Sequence, residues 1–270
     1  MIRRPPRSTQ GVSSAASDVY KRQGLGRASA THLAREGANV IVSDLNGDTA
    51  QATADTINAE RQGAALSCQH DATSEDDWNS ALNLCQEHFG ALHVLLNNAG
   101  ISIGGDIEST DFDTWKKLQE VDVDSVFWGC KLALPYLRDA GGGSIINISS
   151  TVGIMGNPLT LGYGTAKAAV RSMTKSIALH CARQKYNIRC NSLHPTFIKT
   201  PLLKRFADAV GGDEEKAYDT LRSLIPLGDI LDPIDVTHAV IYLASDESRM
   251  MTGSEFVIDG GLTCGYMPPI

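Results

Sequence analysis

The chain has 270 residues, of which 42% are hydrophobic, and this fits one large α/β domain with a substantial buried core. Its formal net charge of -7, without a basic stripe, argues against a nucleic-acid partner. No run of about 18 apolar residues predicts a membrane span, and no apolar secretion signal opens the chain, so we expect a cytoplasmic protein.

The six cysteines are scattered along the sequence, without a Cys-x-x-Cys pair or a histidine at metal-ligand spacing. We therefore predict neither a disulfide nor a metal site. The pattern favours small core residues in a protein from a reducing compartment.

Residues 1–23 differ from the rest of the chain. They are basic and rich in proline and serine, and their apolar residues follow no periodic pattern, which predicts no strand. The tract resembles translated adapter or vector sequence joined at Gln23. The alternative is a genuine disordered or targeting extension. We expect one domain at 24–270, after this anomalous tract.

From Gly24 onwards the signals follow a β–α alternation. Gly24 and Gly26 open a short helix, and a strand from Asn39 to Asp44 follows. Asp44 lies about twenty residues after Gly24, where a carboxylate accepts hydrogen bonds from an adenosine ribose and repels a 2'-phosphate. The residue therefore favours NAD over NADP as cofactor. Alternatively, Asp44 only caps the next helix, predicted at 47–62.

The middle of the chain continues this alternation, with strands predicted at 64–69 and 92–96 and helices at 74–89 and 111–138. The continuous apolar run at 92–96 is typical of a parallel strand covered on both faces. It ends at Asn97-Asn98-Ala99-Gly100. Small residues there let a dinucleotide approach the backbone, and the amides can hold neighbouring strands together. The sequence leaves both roles open.

The chemistry is expected at Tyr163 and Lys167. They lie one helical turn apart in a segment of helical periodicity, so both side chains project from one face. The ammonium favours the phenolate, which predicts a Tyr163 pKa below the ordinary value near ~10. Ser150 follows an apolar run, 144–148, that predicts a buried strand. A strand end facing a helix start places the Ser150 hydroxyl beside the phenol.

These motifs together resemble the short-chain dehydrogenase/reductase family, over about residues 23–261. The resemblance implies an α/β fold with one Rossmann-like, doubly wound parallel sheet in strand order 3-2-1-4-5-6-7. The family's first strand is expected to be missing or replaced here, which predicts poor folding and weak NAD binding. In the implied mechanism Tyr163 is the general acid/base, Lys167 binds the nicotinamide ribose and Ser150 polarises the substrate oxygen.

The resemblance also implies the cofactor-binding residues. These are Gly24, Leu25, Gly26, Asp44, Asp71, Ala72, Asn98, Ala99, Gly100, Tyr163, Lys167, Pro195, Ile198 and Thr200. Asp71 is the implied adenine contact, unless it only satisfies loop backbone. Ile198 and Thr200 are the implied contacts of the nicotinamide carboxamide. The polar stretch at about 201–230 is expected to be a substrate-covering lid.

Two positions depart from the family. Asp122 stands in place of a catalytic asparagine. A carboxylate cannot donate the hydrogen bonds of an amide, and its charge near Lys167 should alter the pKa of Tyr163. Thr196 stands where the family usually has glycine after Pro195, which is expected to stiffen the turn or narrow the pocket.

The implied reaction is hydride transfer between NAD and a small-molecule secondary alcohol or ketone. The stretch 178–195 resembles bacterial cyclic-alcohol and hydroxysteroid dehydrogenases, which favours a hydrophobic cyclic alcohol or hydroxysteroid. One alternative is an NADPH-dependent 3-oxoacyl reductase, but it would want a basic residue after the second strand and no Asp44. The other is a nucleotide-binding scaffold impaired in catalysis, for which Asp122 and Thr196 are the hints.

The family usually assembles as a tetramer, so a homotetramer or homodimer is expected. Apolar residues that would supply the contact are Phe127, Trp128, Cys130 and the tail at 266–269. The alternative is that these residues belong to the ordinary core.

Overall fold

The structure is a computed structural model that describes residues 24–200 and 214–265 and the backbone of a strand at Gln10–Ser14. Its strands are β1 (Gln10–Ser14), β2 (Asn39–Asp44), β3 (Ala65–Gln69), β4 (Val94–Asn97), β5 (Gly143–Ile148), β6 (Ile188–Pro195) and β7 (Glu255–Ile258). Its α-helices are α1 (Leu25–Arg35), α2 (Gly47–Glu60), α3 (Glu75–Phe89), α4 (Phe112–Gln119), α5 (Ser125–Asp139), α6 (Leu161–Gln184), α7 (Glu214–Leu224) and α8 (Pro233–Ala244).

The described strands form one parallel sheet in the order β3-β2-β1-β4-β5-β6-β7. This confirms the predicted doubly wound topology. Successive strand residues face opposite sides, so Val40 and Val42 lie in one core layer and Ile41 in the other. The first layer is completed by α1, α2 and α8, and the second by α3, α5 and α6. The sheet is therefore covered on both faces.

The central strand β1 corrects the prediction for residues 1–23. That tract was predicted to contain no strand, and this is wrong for Gln10–Ser14. Its backbone pairs in parallel with β2 on one side, from Gln10 opposite Asn39, and with β4 on the other, from Gly11 opposite Val94. Strand pairing is made by main-chain N–H and C=O groups, and two neighbours in the sheet centre both require such a partner. Backbone pairing with β2 and β4 thus forms a strand here although the side chains lack an apolar pattern.

The predicted long helix at 111–138 is interrupted. Asp111 caps α4, its carboxylate accepting from Thr114 N at 2.7 Å, and a π-helical turn at Glu120–Asp124 joins α4 to α5. Such turns are rare and shift the side chains that follow them. The turn places Asp122, rather than a neighbour, in the interior.

The structure describes only part of the predicted lid. Residues 201–213, the first part of the predicted lid, lie outside the described residues, as does the tail at 266–270. The remaining part holds α7, whose Leu221 packs with Ile225 and Ile230 against Phe197 in a small separate core. This small core joins α7 to the loop that follows β6.

The cysteines are free thiols, but only part of the core prediction holds. Four are buried, whereas Cys68 is half-buried and Cys264 is exposed. The buried ones are Cys85, Cys130, Cys181 and Cys190. No helix within the described ranges is both long and apolar enough to cross a bilayer.

Candidate active site

The predicted site residues converge on one edge of the sheet. Asp44 ends β2, Pro195 ends β6, and Ser150 follows β5. Gly24 is the N-cap of α1, and Leu25 and Gly26 lie buried in its first turn. Because all strands run parallel, their carboxyl ends share this edge, which is where ligands of such sheets bind.

Ser150 and Tyr163 meet as predicted. Ser150 caps the single 3₁₀ turn at Thr151–Gly153, and its hydroxyl lies 3.5 Å from the Pro195 carbonyl oxygen. Tyr163 stands in the first turn of α6 and shares a side-chain hydrogen bond with Ser150. The strand end and the helix start thus bring two hydroxyl groups together.

Lys167 lies beneath Tyr163, with its Nζ 5.6 Å from the centre of the phenol ring. The ammonium donates to the Ile148 carbonyl oxygen at 3.2 Å. It also forms an ion pair with Asp122, with Nζ 2.9 Å from Oδ1. The side chains of Lys167 and Asp122 are 4% and 0% exposed, so this pair is buried from solvent.

Asp122 is held from two further directions. Its Oδ2 accepts a hydrogen bond from the backbone N–H of Ile101 at 3.3 Å. Gly100 packs so closely that a Cβ there would lie 2.5 Å from Asp122 Oδ1 and 3.1 Å from Lys167 Nζ. Gly100 therefore leaves room for the ion pair, a role that the sequence did not reveal.

The pKa of Tyr163 is raised above its ordinary value, which contradicts the predicted lowering. Loss of hydration on burial is the largest cause, and the negative charge of Asp122 acts in the same direction. Lys167 and the hydrogen bond with Ser150 lower the pKa, but they do not prevail. For Lys167, burial lowers the pKa, but Asp122 and Tyr163 together raise it above the usual value. The prediction failed because it counted the ammonium alone.

Two positioning residues were missed from the sequence. The buried Ser149 hydroxyl donates to the Lys167 carbonyl oxygen at 2.8 Å and so ties α6 to the end of β5. His194 is buried and places Nδ1 3.1 Å from the Ser150 carbonyl oxygen and Nε2 2.8 Å from the Ser192 hydroxyl. Burial lowers the pKa of His194, which favours the neutral ring. The only sequence signals were the Ser-Ser pair and a histidine before Pro195.

The residues predicted to contact adenosine lie at the ends of β2 and β3. Asp44 is buried, and its Oδ1 accepts from Asn46 N at 2.8 Å. Asn46 itself caps α2, so the alternative that Asp44 is the helix cap is wrong. Asp71 accepts from Thr73 N at 2.9 Å, which fits the alternative role in the loop backbone. The Ala72 carbonyl oxygen accepts from the Trp78 indole at 2.9 Å.

Asn97, the last residue of β4, has the strand-holding role that was one of the two roles left open by the sequence. Asn97 is buried and donates to Asn147 Oδ1 at 2.8 Å, and Asn147 donates to Thr174 on α6 at 2.9 Å. This chain of bonds holds β4, β5 and α6 together. Asn98 is half-buried, and Ala99 and Gly100 are buried small residues. The cofactor role of residues 98–100 stays a prediction.

The loop after β6 carries the other departure, Thr196. Its backbone φ is not positive, so threonine is not strained there. Its hydroxyl is buried and has no hydrogen-bond partner among the described residues. Ile198 forms a parallel bridge with Leu231, and Thr200 is half-buried. In the described ranges, no cluster of three or more His, Cys, Asp or Glu side chains could hold a metal ion.

A doubly wound parallel sheet with a Ser-Tyr-Lys cluster at its carboxyl edge defines the class of nucleotide-binding α/β oxidoreductases. A family model described as Enoyl-(Acyl carrier protein) reductase matches residues 19–263. An NADP-dependent (R)-specific alcohol dehydrogenase of Lentilactobacillus kefiri is 39% identical over 241 residues, covering 89% of this chain and 92% of the relative.

Other relatives agree. A trans-4-hydroxycyclohexanecarboxylate dehydrogenase of Sinomonas cyclohexanicum is 39% identical over 90% of each chain. A 3-alpha-(or 20-beta)-hydroxysteroid dehydrogenase of Mycobacterium bovis is 38% identical, covering 90% of this chain and 86% of the relative. The crystal structure of a short-chain dehydrogenase/reductase from Burkholderia xenovorans superposes with a TM-score of 0.89 at 31% identity, over 97% of this chain and 98% of the other. The chain belongs to the short-chain dehydrogenase/reductase family.

Proposed function

We propose that the protein is a nicotinamide-dependent dehydrogenase that interconverts a secondary alcohol and its ketone, with Tyr163 as the group that exchanges the proton. The observation that carries this proposal is the cluster at the carboxyl edge of the sheet. There, the Tyr163 phenol shares a hydrogen bond with Ser150 and lies above the Lys167 ammonium. Relatives of this chain with more than 35% identity are named as alcohol, hydroxycyclohexanecarboxylate or hydroxysteroid dehydrogenases.

In this mechanism Ser150 donates a hydrogen bond to the substrate oxygen and Tyr163 moves the proton. During ketone reduction the phenol gives its proton to the oxygen, and during alcohol oxidation the phenolate removes it. Lys167 stabilises the phenolate, and a bound nicotinamide supplies or accepts the hydride at the carbon. Ser149 and His194 keep α6 and Ser150 in register for this exchange.

The cofactor we propose is NAD. The residues fit a dinucleotide, because Gly24 begins a helix at the sheet edge and buried small residues, Ala99 and Gly100, follow β4. Asp44 ends β2, where its carboxylate would bind the adenosine ribose and repel a 2'-phosphate. The relative from Lentilactobacillus kefiri is named NADP-dependent, so a direct comparison of the two cofactors is needed.

The substrate we propose is a hydrophobic cyclic alcohol or a hydroxysteroid. Two loops meet beside Tyr163, since Gly105 N donates to the Leu159 carbonyl oxygen at 2.9 Å and Leu161 N to that of Gly105 at 3.0 Å. Both loops expose apolar side chains. These are Ile103, Met155 and Leu159, which is 63% exposed. An apolar rim near the start of α6, the helix that carries Tyr163, suits an apolar ring, and relatives are named for hydroxycyclohexanecarboxylate and hydroxysteroid substrates.

We also propose a homodimer or homotetramer in the cytoplasm. On α5, Phe127 is 46% exposed and contacts the half-buried Trp128, with Lys131 covering both rings. Cys130 is buried and accepts a hydrogen bond from Asn97, so its predicted part in assembly is wrong. The tail at 266–269 lies outside the described residues. Buried free thiols suit a reducing compartment.

The test is a panel of secondary alcohols assayed with NAD and with NADP, on the unaltered chain and on Tyr163→Phe. We expect turnover of cyclic alcohols with NAD and a loss of at least ~100-fold in Tyr163→Phe, because the proton-transfer group is removed. Tyr136→Phe is the matched control, since the Tyr136 hydroxyl bonds Asn83 at the surface at 2.8 Å. Activity of Tyr163→Phe within about tenfold of the control would exclude Tyr163 from the mechanism, and equal efficiency with both cofactors would exclude selection by Asp44.

A further inference from the structure

A buried carboxylate lies against the lysine of the proposed catalytic cluster. Asp122 Oδ1 is 2.9 Å from Lys167 Nζ, and both side chains are almost completely buried. Opposite charges buried at this distance interact far more strongly than a surface pair does. Loss of either partner would therefore leave an uncompensated charge in the interior.

The ion pair is built into the fold. The π-helical turn at Glu120–Asp124 directs Asp122 inwards, Ile101 N–H binds its second oxygen, and Gly100 leaves the space for both groups. Lys167 uses another of its donors on the Ile148 carbonyl oxygen at 3.2 Å. Both partners are thus fixed by main-chain contacts from separate elements, which favours a defined role over incidental pairing.

The charge of Asp122 opposes that of Lys167 at the phenol. An isolated ammonium below the ring would stabilise the phenolate, whereas the pair presents nearly no net charge to Tyr163. We propose that Asp122 is a positioning residue whose carboxylate holds Lys167 in place and offsets its field at Tyr163, so that the phenol is set to donate a proton at neutral pH. This proposal rests on the proposed function, and it implies a site adapted to carbonyl reduction, with alcohol oxidation favoured only at alkaline pH.

The groups that act on the phenol come from three elements. Lys167 faces it from α6, Asp122 from the π-helical turn and the Ser150 hydroxyl from the end of β5. Below Ser150, His194 contacts the carbonyl oxygen, and burial lowers its pKa, so it adds no positive charge at neutral pH. Burial is the largest cause of the raised pKa of Tyr163, and the negative charge of Asp122 acts in the same direction, against Lys167 and Ser150.

The experiment compares Asp122→Asn with Asp124→Asn. Both changes remove one negative charge from the same turn, but Asp124 is exposed. The rate of alcohol oxidation is measured against pH. We expect its midpoint to move towards lower pH by about one unit in Asp122→Asn and to stay unchanged in Asp124→Asn, because only the first removes a buried charge near the phenol.

A second readout needs no turnover. The ionisation of Tyr163 is followed by ultraviolet absorbance as the difference between each protein and the same protein carrying Tyr163→Phe. We expect the phenol of the unaltered chain to ionise above the ordinary tyrosine value of about 10, and that of Asp122→Asn to ionise at lower pH. If Asp122→Asn does not fold, Asp122→Ser, which also removes the charge, replaces it in both readouts.

Each outcome has one meaning. A phenol that ionises below about 10 in the unaltered chain, or an unchanged pH profile and titration in folded Asp122→Asn, would overturn the proposal. Absence of any alcohol turnover would defeat the proposed function, but it would leave the absorbance test of the ion pair intact. The proposal would be supported if the pH midpoint of alcohol oxidation and the ionisation of Tyr163 both move to lower pH in Asp122→Asn but not in Asp124→Asn.

Discussion

His70 should make the protein sensitive to acid. It follows β3, is 2% exposed, and meets the Trp78 ring edge-on with 4.4 Å between ring centres. Its Nδ1 lies 2.9 Å from the Ser43 hydroxyl, whereas Nε2 is buried without a hydrogen-bond partner among the described residues. A protonated ring would carry a buried charge with one N–H unsatisfied.

The size of the effect follows from the pKa. Burial lowers the pKa of His70 to about 4, against partial opposition from Asp77 and Asp71. The unfolded chain binds this proton near the ordinary value of about 6.5, and the native chain does so only near 4. The contribution of the neutral ring is therefore complete above pH ~6.5 and is lost as pH falls towards ~4. The difference corresponds to about 3 kcal/mol of unfolding free energy.

The assay is urea unfolding at about pH 7.5 and about pH 4.5, on the unaltered chain, His70→Asn and His180→Asn. Asparagine keeps an oxygen near the Nδ1 position to pair with Ser43, but it cannot take up a proton in this range. His180 is exposed and serves as the control. We expect His70→Asn to lose less free energy on acidification than the other two. Equal losses in all three proteins would refute the assigned role of His70.

Two further predictions concern packing and assembly. Gly100→Ala should lower the unfolding free energy by about 1–3 kcal/mol, because the new Cβ would lie 2.5 Å from Asp122 Oδ1. Gly156→Ala is the control and should change the unfolding free energy little, because no heavy atom lies within 4 Å of the new Cβ. Similar urea midpoints for the two variants would contradict this prediction. Light scattering should show a dimer or tetramer for the unaltered chain and a smaller mass for Phe127→Ser. Leu159→Ser is the control and should keep the mass of the unaltered chain. A monomeric unaltered chain would rule the assembly out.

The sequence predicted the sheet because its signals are strong and local. Apolar runs ended by small or polar residues marked β2 to β5, and helical periodicity with capping residues marked the helices between them. The candidate site residues lie close together because parallel strands end at one edge of the sheet. Ser150 and Tyr163 were brought together for this reason.

The combined effect of the Lys167 and Asp122 charges on Tyr163 could not be predicted from the sequence. One-turn spacing on α6 predicted the approach of Lys167 to Tyr163, and this was confirmed. The direction of the Tyr163 pKa required the burial of the phenol and the position of Asp122, which depends on a π-helical turn with no signature in residues 120–124. Electrostatic effects follow from three-dimensional distance and hydration, which residue spacing along one element does not specify.

The central strand shows a related limit of pattern reasoning. Strand prediction relies on side chains that match a buried surface, and Gln10–Ser14 offers few of them. The hydrogen bonds of a sheet, however, belong to the main chain, and β1 pairs along its length with β2 and over four positions with β4. Without it, both neighbours would leave N–H and C=O groups unpaired in the middle of the sheet, at a cost of about 1–3 kcal/mol for each buried group. The unpaired backbone groups of β2 and β4 can therefore favour a strand between them even where the side chains of that segment do not predict one.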